Sequence, residues 1–131
     1  AEPTMPSTAP ELDLQRPRVA LCEPDPPLRA LLGEWLQRSD FEPVRCAGDA
    51  SADSVVLVVA DVPAPRQDGA ASIAALRQRF AHAKVLAISA QFMPCMHGSP
   101  SAAVELGADA VLAKPFAAKM FIDAVYRLMA S

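Results

Sequence analysis

The chain has 131 residues, 52% of them hydrophobic and 21% charged, with a formal net charge of −3. That is enough for one domain with a core of its own, and the acidic balance excludes the basic footprint that direct nucleic-acid binding requires. The longest apolar runs are about six or seven residues against the roughly 20 that span a bilayer, and no signal-peptide pattern opens the chain. A membrane is therefore not an expected partner, and a cytoplasmic location is expected. Three cysteines at irregular spacing, Cys22, Cys46 and Cys95, predict no disulfide framework, in keeping with a reducing cytosol.

Residues 1–17 hold Pro3, Pro6, Pro10 and Pro17 among small and polar residues, with neither helical nor strand period. They read as a disordered, proline-rich lead-in, which leaves 18–131 as the folded domain. Val19-Ala20-Leu21-Cys22, bounded by Pro17 and Pro24, predicts a short strand, β1. Asp25 before Pro26 and Pro27 is a helix start: the carboxylate accepts from orphan N–H groups, and proline lacks the donor that the first turn cannot use. Leu28, Leu31, Leu32, Trp35 and Leu36 then recur at helical spacing and define one buried stripe.

Phe41 to Cys46 predicts β2, placed at a sheet edge by Pro43. Residues 47–53 are fewer than the dozen or so that a helical crossover takes, so a helix is shortened or missing there. The sheet near β1 and β2 should consequently be poorly covered on one face. Ser54 to Asp61 is an unbroken β-branched run and predicts a strand buried on both faces, β3. A helix over 69–81 follows, with Ile73, Leu76 and Phe80 on its inner side and His82 placed to cap its end. Lys84 to Ala90 is β4, and 91–100 a long loop with Pro94, Gly98 and Pro100. A short helix over 101–106 ends at Gly107, then Ala110 to Ala113 is β5. Lys114-Pro115-Phe116 opens the last helix, lined by Phe116, Met120, Phe121, Ala124, Val125 and Leu128. Alternating strands and helices predict a parallel sheet with helices on both sides.

A carboxylate at the carboxyl end of a central strand lies where open α/β sheets bind ligands, and Asp61 is such a residue. Pro65 follows it four residues on, and Asp68-Gly69 seven and eight residues on. Near the end of the chain, Gly107-Ala108-Asp109 precedes Lys114-Pro115-Phe116. Together these segments resemble the receiver domain of two-component response regulators, the CheY-like family, over roughly 18–131. The resemblance implies a flavodoxin-like (βα)5 doubly wound sheet of strand order 2-1-3-4-5, here with the second helix shortened or absent. It also implies the chemistry of a signalling module, not an enzyme, in which Asp61 is the phosphoacceptor.

By the same resemblance, Lys114 pairs with the acceptor and then with the phosphoryl group, the peptide bond after it is cis, and Ser89 is the hydroxyl that turns toward the phosphoryl group. Mg²⁺ would be held by Asp61, Glu23 and the backbone carbonyl of Pro63, with Asp25 as a further candidate. The family places two adjacent acids after β1, where this chain has Glu23-Pro24, and proline has no side-chain ligand to offer. Val111 stands where many members carry the aromatic residue that relays the switch. Two functions stay open. One is a phosphorelay receiver that takes its phosphoryl group from a histidine kinase or phosphotransfer protein. It would signal through the face made by the short helix, β5 and the last helix (α4-β5-α5 in the family's count), to an effector or a second copy. The other is a pseudo-receiver, a protein-binding module that works without phosphate. Met93, Cys95, Met96 and His97 form a soft-ligand cluster, which reads as a mobile apolar loop.

Overall fold

The computed structural model describes residues 16–46, 52–92 and 100–130. The lead-in before residue 16 and the cluster Met93, Cys95, Met96 and His97 lie outside them. Five parallel strands, β1 (Arg18–Cys22), β2 (Glu42–Arg45), β3 (Val55–Asp61), β4 (Lys84–Ser89) and β5 (Ala110–Ala113), make one sheet in the order β2-β1-β3-β4-β5. Among the described residues four α-helices flank it, α1 (Pro26–Arg38), α2 (Ala70–Arg79), α3 (Pro100–Leu106) and α4 (Ala118–Ala130). The doubly wound order expected from the sequence is the order found. Between β2 and β3 the described chain holds one tight turn, Ala52–Ser54, in place of a helix.

Local chemistry sets the element ends. Asp25 caps α1, its carboxylate accepting from the Leu28 N–H at 3.2 Å with proline in the first turn. The helix closes on Asp40, whose φ of 68° lets Phe41 N donate back to the Leu36 carbonyl. Aspartate is one of the few non-glycine residues that tolerates this left-handed state. Gly107, at φ 83°, does the same for α3, returning Gly107 N and Ala108 N to the Ala103 carbonyl. Ahead of α2 the chain makes a wide turn, Pro65–Gly69, so the regular helix is shorter than the one predicted over 69–81. Exposed His82 stands in the turn after Phe80 and not on the helix.

Side chains alternate across the sheet. Val19, Leu21, Leu57, Val59, Leu86, Ile88 and Leu112 point to the face covered by α1 and α4, where Leu32, Leu36, Phe121, Val125 and Leu128 meet them. Ala20, Val58, Ala60, Val85, Ala87 and Val111 point to the other face, beneath α2 and α3. Of the residues expected to line the last helix, Phe121, Val125 and Leu128 are core residues, whereas Met120 is 38% exposed.

Cys22 and Cys46 are joined in a disulfide, which corrects the expectation that no cysteines pair. The reason is strand register. Leu21 lies opposite Arg45, so the next residue on each strand comes to the same side of neighbouring chains. Spacing along the sequence carries no trace of that. The two cysteines and Val44 are half-buried and pack against the α2/α3-side core, while Ala20 beneath them is fully buried. The thin cover expected near β1 and β2 is thus limited to the rim.

Candidate functional site

The carboxyl ends of β1, β3 and β5 bring three charged side chains together. Lys114 Nζ lies 2.7 Å from Glu23 Oε1 and 2.8 Å from Asp61 Oδ1. These residues are 91 and 53 positions apart in sequence, and the parallel sheet alone makes them neighbours. Glu23 is 3% exposed, and the Lys114 and Asp61 side chains are 19% and 13% exposed. Burial of Lys114 by itself works to lower its pKa, but hydrogen bonds and charge attraction from Asp61 and Glu23 outweigh it, and the net shift is upward. The ammonium therefore persists throughout the neutral range as the counterion of both carboxylates.

Glu23 is fixed on three sides. Its Oε2 accepts from Asp25 N at 3.1 Å, its backbone carbonyl accepts from Arg29 Nη1 at 2.9 Å, and its Oε1 faces Lys114. Arg29, one turn into α1, escaped the sequence reading because it serves a backbone atom six residues away. A candidate signal was available only in its position next to the Asp25 cap. Asp25 itself turns its carboxylate to α1 and stays exposed, so the structure does not bring it into the cluster. Pro24, next to Glu23, is exposed as well.

Ser89 ends β4 and is fully buried. Its Oγ accepts from Gln91 N at 3.0 Å, and its carbonyl accepts from Lys114 N at 2.9 Å. The second of these bonds ties the backbone of Lys114 to β4 immediately before the cis Lys114–Pro115 bond. The start of β5 is pinned in a comparable way. Asp109 Oδ2 accepts from Val85 N at 2.8 Å and from Arg77 Nη2 at 2.9 Å, and Arg77 Nε donates to the Gly107 carbonyl at 2.7 Å. The Gly-Ala-Asp segment therefore positions the strand that carries Lys114. Pro63 is exposed just beyond β3, at the edge of an open groove of about 370 Å³ shared with Ala64, Pro65, Arg66, Gln67 and Gln91. Among the described residues no group of three or more His, Cys, Asp or Glu is placed to hold a metal ion, and no helix is long and apolar enough to cross a membrane.

Solved structures similar in fold to this chain include response regulators and their receiver domains. A response regulator from Thermotoga maritima is 18% identical, with 88% of this chain and 99% of that one covered and a TM-score of 0.70. The HemR receiver domain from Leptospira biflexa is 23% identical over 88% and 96%, with a TM-score of 0.68. A pilus assembly-related protein from Burkholderia pseudomallei is also similar, at 18% identity over 87% and 90% and a TM-score of 0.67. No protein-family model and no curated protein sequence matches the chain.

Proposed function

We propose that the chain is a receiver module of two-component signalling that accepts a phosphoryl group on Asp61. The observation that carries this reading is the Lys114 ammonium held between Asp61 and Glu23 at the strand ends. In the transfer, an Asp61 carboxylate oxygen attacks the phosphorus of a phosphohistidine on a kinase or phosphotransfer protein. The O–P bond forms as the N–P bond breaks, and the imidazole released takes up a proton. Lys114 then pairs with the phosphoryl oxygens. The Ser89 hydroxyl can accept from Gln91 and still donate one hydrogen bond, which makes it the switch residue of this reading.

Receivers of this fold employ Mg²⁺. Two carboxylates against one ammonium leave a net negative charge at the site, which fits a divalent cation that keeps most of its waters. Glu23, Asp61 and the Pro63 carbonyl would hold it, and bound Mg²⁺ would supply neutralisation of the phosphoryl oxygens. The output surface is the face of α3, β5 and α4, where Val104 and Met120 are exposed, and its partner is an effector or a second copy. The module acts in the cytoplasm and is neither an enzyme nor a nucleic-acid or membrane binder in its own right.

Pro24 favours a second reading, a pseudo-receiver that signals by protein contact without phosphate, because it removes the side chain of a usual metal ligand. Intact mass after incubation with a small-molecule phosphodonor, with and without Mg²⁺, separates the two. A Mg²⁺-dependent gain of one phosphoryl group by the wild type and not by Asp61→Asn supports the first reading. No gain from a folded protein supports the second.

A further inference from the structure

We propose that Cys22 and Cys46 form a reversible thiol–disulfide site, oxidised by a small-molecule disulfide of the glutathione class and reduced by the corresponding thiol. Three observations converge on the pair. Both cysteines are half-buried at the rim of the sheet and not sealed in the core, so a tripeptide thiol can approach. They stand on the side of β1 and β2 that packs against α2, and the described residues between β2 and β3 form one tight turn, Ala52–Ser54. The Arg79 guanidinium, from the last turn of α2, reaches Cys46 Sγ at 4.0 Å. A guanidinium at that position stabilises a thiolate and so makes Cys46 the reactive sulfur of the two.

The chemistry balances with the named co-reactant. In the reduced chain the Cys46 thiolate attacks one sulfur of the small disulfide, forming a mixed disulfide and expelling one thiolate. The Cys22 thiol then loses its proton and attacks the Cys46 sulfur, expelling the second thiolate. The pair gives up two electrons, and one molecule of small disulfide becomes two of thiol. Reduction reverses both steps, with Cys46 leaving as the thiolate that Arg79 stabilises.

The structural consequence falls on β2. That strand is four residues long, carries Pro43, and is bonded to the sheet along one side only. Its carboxyl end is held to β1 by the Cys46 N–H to Leu21 carbonyl bond at 3.3 Å and by the disulfide. Loss of the covalent link leaves the edge strand on its hydrogen bonds, so the redox state sets how firmly the sheet edge is closed. None of this requires a phosphoryl group on Asp61, and the two proposals stand or fall separately.

The test equilibrates the full chain carrying Cys95→Ser with graded ratios of reduced to oxidised glutathione, then alkylates it and reads intact mass. The expected result is that Cys22 and Cys46 exchange together between a doubly alkylated form and an unalkylated disulfide form, at ratios within the buffer range. The amides of Glu42 and of residues 44–46 should exchange hydrogen faster in the reduced form. Arg79→Ala, with its fold checked by circular dichroism, should form the disulfide about threefold more slowly, because the thiolate lost with Arg79 is only partly offset by the higher nucleophilicity of the less acidic thiol. The proposal is overturned if the pair stays fully reduced, or fully oxidised, at every ratio in the folded protein. It is equally overturned if the thiols react only after denaturation, and equal rates for Arg79→Ala would remove Cys46 as the reactive sulfur.

Discussion

The face of the sheet beneath α1 and α4 is filled by Leu32, Leu36, Phe121, Val125 and Leu128, and Trp35 and Phe116 extend it as an aromatic layer. The opposite face, beneath α2 and α3, is lined by Ala20, Ala60, Ala87, Ala102, Ala103 and Ala113. On the first face large side chains from two 13-residue helices pack onto the sheet. On the second, small residues let short helices approach closely. At Gly69, for instance, a Cβ would meet Leu106 Cδ1 at 2.6 Å and Val62 Cγ1 at 3.1 Å. One face should therefore be sensitive to truncation and the other to enlargement. The charged site lies across the strand ends between them.

Phe121→Ala should have the largest effect. The ring is fully buried and its centroid lies 5.9 Å from Trp35 and 5.8 Å from Phe116, so its removal should cost about 4 kcal/mol in denaturant unfolding. A loss below about 1 kcal/mol would mean that the α1/α4 face collapses to fill the space. Next comes Lys114→Met, which leaves the buried Glu23 carboxylate without its cation and should cost about 3 kcal/mol at neutral pH.

The pH dependence sharpens that second prediction. The Lys114 pKa is raised in the folded chain from an ordinary value of 10.5, so its contribution is complete below that value. It is lost as pH rises beyond 10.5 through the higher folded value. Wild type should destabilise more steeply than Lys114→Met in urea titrations across that alkaline window, and parallel curves would dissociate the cluster from stability.

Gly69→Ala tests the other face. It should destabilise by about 2 kcal/mol through the approach to Leu106 and Val62. A stabilised variant would show that Leu106 swings away and that the small-residue face is looser than its packing suggests. The smallest effect should come from Val104→Lys. Val104 is 78% exposed on α3, so melting should shift by no more than about 0.5 kcal/mol in stability. If the α3-β5-α4 face pairs two copies, the same substitution should shift light-scattering mass toward the monomer. An unchanged monomeric mass in the wild type at high concentration would remove self-association as its role.

The alternation of strands and helices, the buried stripes and the caps at Asp25 and Gly107 were legible because they depend on periods and on neighbours within a few residues. The strand order was implied only by the resemblance of the Asp61 and Lys114 segments to a known family. Asp61 and Lys114 were legible through the segments around them, and the structure brings those two side chains together. Arg29 was not, because its partner is a backbone carbonyl, and neither was Asp40, an aspartate in a conformation more often given to glycine.

What the sequence by itself determined is the alternation of apolar runs with turn residues, and hence a parallel α/β sheet that carries Asp61 at a strand end. What only the tertiary structure decided is which distant side chains meet there. Lys114 between Glu23 and Asp61, Asp25 committed to its helix, and Cys22 beside Cys46 all follow from strand order and register. Register is set by packing across the whole sheet, where a shift of one residue would reverse every side chain. No local stretch of sequence contains that information.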